Sequence, residues 1–238
     1  MLNINQLKPI TPEEFKLRQK EAFFRRLGKY KINEDGSYTC FNSVDISNLN
    51  LTSFPIVFKE INGFFFCSNN QLTTLKGCPK IVKGSFFCSG NQLTTLDGCP
   101  KIVKGSFNCS NNQLTTLDGC PKIVKRSFYC SNNQLTTLKG CLKIVNGYFF
   151  CHNNKLTTLK YCPEIVNGNF YCSGNQLTTL KGCPKIVKGY FYCHNDKLTD
   201  FDYFSEKVEG DFCCNEKHIP FFQKYKDRIK GEIRKFSS

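Results

Sequence analysis

Cysteine recurs every 21 residues along most of this chain, at 67, 88, 109, 130, 151, 172, 193 and 214. A second series falls at 78, 99, 120, 141, 162 and 183. The unit over residues 86–106 reads Phe-Phe-Cys-Ser-Gly-Asn-Gln-Leu-Thr-Thr-Leu-Asp-Gly-Cys-Pro-Lys-Ile-Val-Lys-Gly-Ser. A unit this short cannot bury its own apolar face and must stack on copies of itself. A fixed period of roughly 20–50 residues therefore specifies a solenoid. Length alone would allow one or two globular domains. The repeat instead makes the 238 residues one elongated domain with two ends to protect. It also favours a binding scaffold over an enzyme.

Within each unit, Phe86-Phe87-Cys88 has the period of a short strand. Phe86 and Cys88 point one way, and Ser85, Phe87 and Ser89 the other. Phe65, Phe86, Phe107, Phe128, Phe149, Phe170, Phe191 and Phe212 form a column that never varies. We place it inside, as a ladder of coils ~4.8 Å apart in a parallel sheet. The asparagines at 70, 91, 112, 133, 154 and 175 form a second inward column, which Asp196 interrupts.

The frame Phe86-x-Cys88-x-x-Asn91-x-Leu93-x-x-Leu96 resembles the leucine-rich-repeat core, with Phe and Cys in place of its two strand leucines. It holds from Phe65 through Phe191, about 60% of the chain. The units are most similar to the short repeats of bacterial effectors and of repeat proteins of large phages and giant viruses. The resemblance implies that the Asn column hydrogen-bonds the backbone of its own turn and of the neighbouring coil. Lys83 stands where the first consensus leucine belongs. The back half, Gly-Cys-Pro-Lys-Ile-Val-x-Gly, is too short and too rich in Pro and Gly for a helix. The expected fold is thus mainly β: a leucine-rich-repeat-like solenoid with one parallel sheet on the concave face, non-helical convex segments and helical caps at both ends.

The expected organisation is a helix-plus-hairpin cap over 1–41, repeats over 42–214 and a capping helix over 215–238. Thr11-Pro12-Glu13-Glu14 is a helix start, Phe15, Gln19, Ala22, Phe23 and Leu27 follow a 3–4 spacing, and Gly28 is a stop. Residues 29–33 and 37–41 flank the hairpin signal Glu34-Asp35-Gly36. A degenerate first coil follows, carrying Val44, Ile46, Leu49, Leu51 and Phe54. At the other end Phe222, Tyr225, Ile229, Ile233 and Phe236 share one face of a helix predicted from 219 to 236.

The net charge of +14 is uneven: residues 62–195 carry 15 basic and 3 acidic groups, residues 196–214 carry 2 and 6. A basic rod of this kind attracts acidic surfaces of protein, nucleic acid or anionic lipid. Its lysines lie in the back segments, in columns through Lys80 and Lys83. No apolar run reaches the length of a membrane span, and residues 1–8 lack the pattern of a secretory signal.

The cysteines read as reduced, small apolar core residues, against the alternatives of disulfides or metal. Parallel in-register positions hold Cβ atoms farther apart than the ~3.8 Å a disulfide prefers, and no Cys-x-x-Cys spacing occurs. A reduced set implies an intracellular compartment, the cytoplasm or a virion. Of Cys213-Cys214 one must leave the core face, which makes that pair the reactive candidate.

The resemblance puts partners on the concave strand face. Its central column contains Phe66, Phe87, Tyr129, Phe150, Tyr171 and Tyr192; beside it lie Tyr148 and Tyr190 on one flank and His152 and His194 on the other. An aromatic stripe marks an interaction site, although cross-strand stacking alone also accounts for aromatic ladders. The last good coils, where Tyr and His replace Ser, are the expected seat of specificity. Nothing in the sequence has the spacing of a catalytic constellation, a phosphate loop or a cofactor site, and His152 and His194 are two coils, ~10 Å, apart. We therefore expect no enzyme and no cofactor. The roles that fit are binding of a protein partner, including an acidic one; a structural, virion-associated part; and single-stranded nucleic-acid binding, where rings stack bases.

Overall fold

The structure is a computed structural model that describes residues 12–195 and 197–235. Each 21-residue unit forms one coil with three sides. The first side is the two-residue strand of the Phe column. The second is the Leu-Thr-Thr-Leu stretch, and the third a further two-residue strand formed by Ile-Val. The first strands pair parallel and in register at intervals of 21, Phe65↔Phe86 and onward to Phe191↔Phe212, within one sheet of ten strands. Their Phe side chains are fully buried and stack, with ring centroids 4.9–5.7 Å apart along the rod. Two leucine columns, beginning at Leu72 and Leu75, and a valine column from Val82 close the core from the other sides.

The corners explain much of the invariance. Asn69, Gly90, Asn111, Asn132, Asn153 and Gly174 all have φ between 52° and 64°. Only Gly and Asn adopt this region at low cost, so the column alternates between those two residues. The next residue turns inward. Asn91 Nδ2 donates to the Cys67 and Cys88 carbonyls at 3.0 Å, and its Oδ1 accepts the Leu72 amide at 3.0 Å. The same pattern runs from Asn70 to Asn175. Each asparagine thus satisfies buried backbone groups in two coils, as a buried turn requires. Asp196 lies outside the described residues. One position earlier, Asn195 turns inward instead, donating to the Cys172 carbonyl at 3.2 Å.

The Ile-Val strands form a second parallel sheet where only non-helical connections were expected. It runs through Ile81–Val82, Ile102–Val103 and Ile123–Val124, stops, and resumes from Ile144–Val145 to Lys207–Val208. The break has a local cause. A glycine column at 63, 84, 105, 147, 168, 189, 210 and 231 packs against the preceding coil. A Cβ at Gly84 would lie 2.7 Å from the Gly63 carbonyl carbon and oxygen. At 126 the column holds Arg. The amide of Arg126 reaches the Gly105 oxygen at 3.2 Å, against 2.8 Å for Gly84 to Gly63. Elsewhere each coil hydrogen-bonds its neighbour in this sheet, as in Lys104 N to Val82 O at 3.0 Å. Among the described residues no such bond joins 122–126 to 143–147. Leu142 also replaces the proline found at 79, 100, 121, 163 and 184. The break thus falls between the coil that carries Arg126 and the coil that carries Leu142.

The ends differ from each other. Helix α1 spans Pro12–Arg25, and Gly28 follows with φ 63°. Thr11 and the side chains of Phe15 and Gln19 lie outside the described set, while Phe23 and Leu27 are fully buried. Arg26 Nη1 donates to the Ser47 carbonyl at 2.8 Å and so covers the first coil. Strands β1 (Tyr30–Ile32) and β2 (Tyr38–Cys40) form the expected antiparallel hairpin.

Of the C-terminal helix predicted over 219–236, only Ile219–Phe222 is α-helical among the described residues, and Phe236 lies outside them. Helical turns at Glu216–His218, Ile219–Phe222 and Gln223–Arg228 lead into a strand, Ile233–Lys235, that pairs parallel with Phe212–Cys214. The partners Phe212↔Ile233 and Val208↔Ile229 are 21 residues apart, as are Gly210 and Gly231. The tail is therefore one more coil, with helical turns replacing its leucine side. Phe222 and Tyr225 pack on Phe204 at 5.6 and 5.3 Å. The 3–4 spacing of Phe222, Tyr225, Ile229 and Ile233 imitates a helix because these residues fill successive sides of one coil.

Candidate interaction face

All 16 cysteines are free thiols. In the strand column Cys88, Cys109, Cys130, Cys151 and Cys172 donate along the rod: Cys88 Sγ to the Asn108 carbonyl at 3.4 Å, Cys109 to Tyr129 at 3.4 Å and Cys172 to Tyr192 at 3.5 Å. A thiol is small enough for this site and supplies a weak donor, which leucine would not. Burial pushes the thiols of Cys88, Cys109 and Cys172 well above their ordinary range; Cys40 rises to about 11, and Cys183 and Cys214 to about 12. Cys213 sits in the outward column beside Tyr192 and Arg234, as the doublet requires, yet it is buried, and its thiol is raised by burial and by Asp211. That combination does not favour the reactivity expected of it.

The strand face carries the expected aromatic residues, in two groups rather than one stripe. Phe66 meets Phe87 edge-on at 5.3 Å, with Phe64 stacked beside Phe66 at 5.8 Å. Asn108 then interrupts the column and turns its Oδ1 to the Ser110 amide at 2.9 Å. Beyond it the rings run on continuously. Tyr129 touches Phe150 at 5.1 Å, Phe150 touches Tyr171 at 4.2 Å, and Tyr171 stacks on Tyr192 at 4.1 Å. Tyr148 stacks beside Phe150 at 5.9 Å and Tyr190 lies 6.0 Å from Tyr192. The central rings are half-buried by one another, whereas Tyr148 and Tyr190 are 46% and 43% exposed.

The flanking positions show which residues serve the fold. Ser85 Oγ accepts the Ser106 amide at 2.9 Å, and Ser127 Oγ the Tyr148 amide at 3.0 Å. Asn169 Oδ1 accepts the Tyr190 amide at 3.0 Å, and Asp211 Oδ1 the Glu232 amide at 2.9 Å. Short polar side chains in this column thus tie each coil to the next. Phe64, Tyr148 and Tyr190 occupy the same column and offer no such acceptor. Sequence inspection registered the serines as background; their periodic recurrence was the signal for this role.

On the other flank His152 Nδ1 lies 2.9 Å from Ser131 Oγ, and burial lowers its pKa, so the ring is neutral near pH 7. His194 donates its backbone amide to Ser173 Oγ at 3.0 Å. With Phe150, Asn153, Tyr171, Ser173 and Gly174, the two histidines line a depression of about 460 Å³. The structure therefore gathers Tyr129, Tyr148, Phe150, His152, Tyr171, Tyr190, Tyr192 and His194 into one patch and leaves Phe66 and Phe87 in another. No charged side chain lines the depression.

No family model and no curated protein matches this chain. Among solved structures it is similar to one described as the structure of a Shigella effector LRR domain, at a TM-score of 0.62 and 18% sequence identity. That match covers 98% of this chain and 94% of the other. Stacked 21-residue coils, a parallel strand ladder and an inward asparagine at each turn together give the chain a leucine-rich-repeat-like solenoid fold.

Proposed function

We propose that the chain is a non-enzymatic scaffold whose aromatic strand face binds a protein partner, with the patch from Tyr129 to His194 as its centre. The observation that carries this reading is the flanking column. Ser, Asn and Asp there bond the next coil, whereas Tyr148 and Tyr190 give up that bond and stand half in solvent. Aromatic side chains in such positions are more useful to an interface than to the fold, because interface hot spots are enriched in tyrosine. The neutral depression beside them suits an uncharged side chain of the partner.

The test is the double variant Tyr148→Ser, Tyr190→Ser, which installs the residue this column uses elsewhere. Its melting temperature should equal or exceed that of the parent, and a partner cross-linked to the parent protein should be lost. Retention of the partner at equal stability would return the aromatic face to a purely structural role.

A further inference from the structure

The second sheet carries a charge pattern that the aromatic-face reading does not use. Two columns flank its isoleucines. One reads Lys59, Lys80, Lys101, Lys122, Lys143, then Glu164, Lys185 and Glu206. The other reads Lys83, Lys104, Lys125, then Asn146, Asn167, Lys188, Glu209 and Lys230. Beyond residue 143 the signs alternate or lapse, and alternation is the arrangement that stabilises a parallel ladder, where neighbours stand ~4.8 Å apart. Before it every position from 80 to 125 is lysine, and Arg126 adds a further cation. All of these side chains are exposed. Of the cations from Lys80 to Lys143 in these two columns and Arg126, only Lys83 has an acidic partner within 4 Å among the described residues, Glu60 at 2.7 Å. Rows of unpaired like charges at this spacing repel, so the fold does not explain them.

A second observation narrows the ligand. The isoleucine column lies between the two lysine rows, and where the sheet breaks beside Arg126 its members stand out. Ile123 is 40% and Ile144 48% exposed. The patch contains no aromatic ring for a base to stack on, and all but one of its cations are lysine, the less suited of the two to bidentate phosphate recognition. Clustered lysines around projecting aliphatic side chains match an anionic bilayer surface, where the charges meet headgroups and the isoleucines reach the acyl boundary. No helix among the described residues is long and apolar enough to cross a membrane, so such binding is peripheral.

We propose that this basic face, from Lys80 to Lys143, docks the protein on anionic membrane. The probe is vesicle sedimentation with phosphatidylcholine alone and with phosphatidylcholine mixed with phosphatidylserine. The full chain should partition onto the mixed vesicles only, and be released at about 1 M salt, where screening acts within about 3 Å. Reversing Lys101, Lys104, Lys122 and Lys125 to Glu should lower partition at least a hundredfold, since each lysine near such a surface contributes about fivefold. Reversing Lys139, Lys155, Lys160 and Lys181 makes the same change in net charge outside the patch and should cost much less. The pair Ile123→Ser, Ile144→Ser should weaken vesicle binding severalfold while leaving the charge intact. Circular dichroism confirms that each variant is folded, and a set of four Lys→Gln changes serves if the Glu set is not. Absence of binding to mixed vesicles overturns the proposal, as does an equal loss in the two charge-reversal sets. Tight binding to duplex DNA that the isoleucine pair leaves unchanged, with weak vesicle binding, assigns the face to nucleic acid instead. None of these outcomes depends on Tyr148 or Tyr190.

Discussion

The two sheets are built from the same coils, yet one runs unbroken through ten strands while the other is interrupted between Val124 and Ile144. The difference lies in what fixes each ladder. Four features tie most steps of the strand sheet: a buried Phe, a thiol bonded to the next carbonyl, an inward Asn and a flanking polar side chain. The Ile-Val sheet depends on its own backbone bonds and on a glycine column with no room for a Cβ. Its one break lies beside the one arginine in that column. A repeat with redundant ties tolerates variation, and a repeat that relies on one small residue does not.

The largest test of this contrast attacks the redundant side as a whole. Folded thiols retain protons that the unfolded chain releases, because burial raises Cys40 to about 11 and Cys183 and Cys214 to about 12. Stability from these groups is complete below the ordinary thiol pKa of about 8.5 and is lost as pH rises through it toward the folded values. A steep fall in melting temperature above about pH 9, absent when the cysteines are replaced by Ala or Ser in a folded variant, is the expected outcome. A flat profile to pH 11 would mean that burial does not hold the thiols protonated.

A single coil comes next. Phe128→Ala should cost about 3–5 kcal/mol in denaturant unfolding, the usual range for a buried Phe. Gly105→Ala puts a Cβ 2.7 Å from the Gly84 carbonyl carbon and should cost about 1–3 kcal/mol. It should also loosen the second sheet toward the preceding coil, read as faster hydrogen exchange at Lys104, whose amide donates to Val82. The converse is Arg126→Gly. It should stabilise by about 1 kcal/mol or less and slow exchange at Ile144 and Val145 by closing the gap. If exchange there does not change, the break has another origin, with Leu142 the first alternative. The smallest expected change is at Tyr161, the one non-glycine in a column of positive φ, at 69°. Tyr161→Gly should gain up to about 1 kcal/mol.

The period, the buried Phe column and the bonding Asn column were legible because the Phe recurs in eight coils and the Asn in six, so chance agreement is excluded by number. Reading failed where a feature occurs once or imitates another. The tail obeyed the 21-residue interval in Gly231 and Ile233, but its apolar residues also fit a helical face, and the local pattern obscured the long one. The Ile-Val strand is two residues long, too short for an alternation to show, and only its recurrence as a β-branched pair betrayed it. The crowding at the glycine column, where Arg126 stands, is visible only in three dimensions. The aromatic column on the strand face shows in the sequence as a period, but its division at Asn108 and the bonding role of its serines follow from side-chain geometry that the sequence does not carry.

The glycine column bears on how the chain is made. Its bonds run backward, Gly84 N to Gly63 O and Gly105 N to Gly84 O, and the neighbouring Lys104 N to Val82 O does the same. A coil leaving the ribosome finds its acceptors already in place on the coil before it, and needs nothing from sequence still to be translated on that side. Domains grow N-terminal first during synthesis, and repeat stability is set by nearest neighbours. The solenoid can therefore lengthen one 21-residue step at a time behind the Arg26-covered first coil, keeping its thiols from the solvent as each step closes.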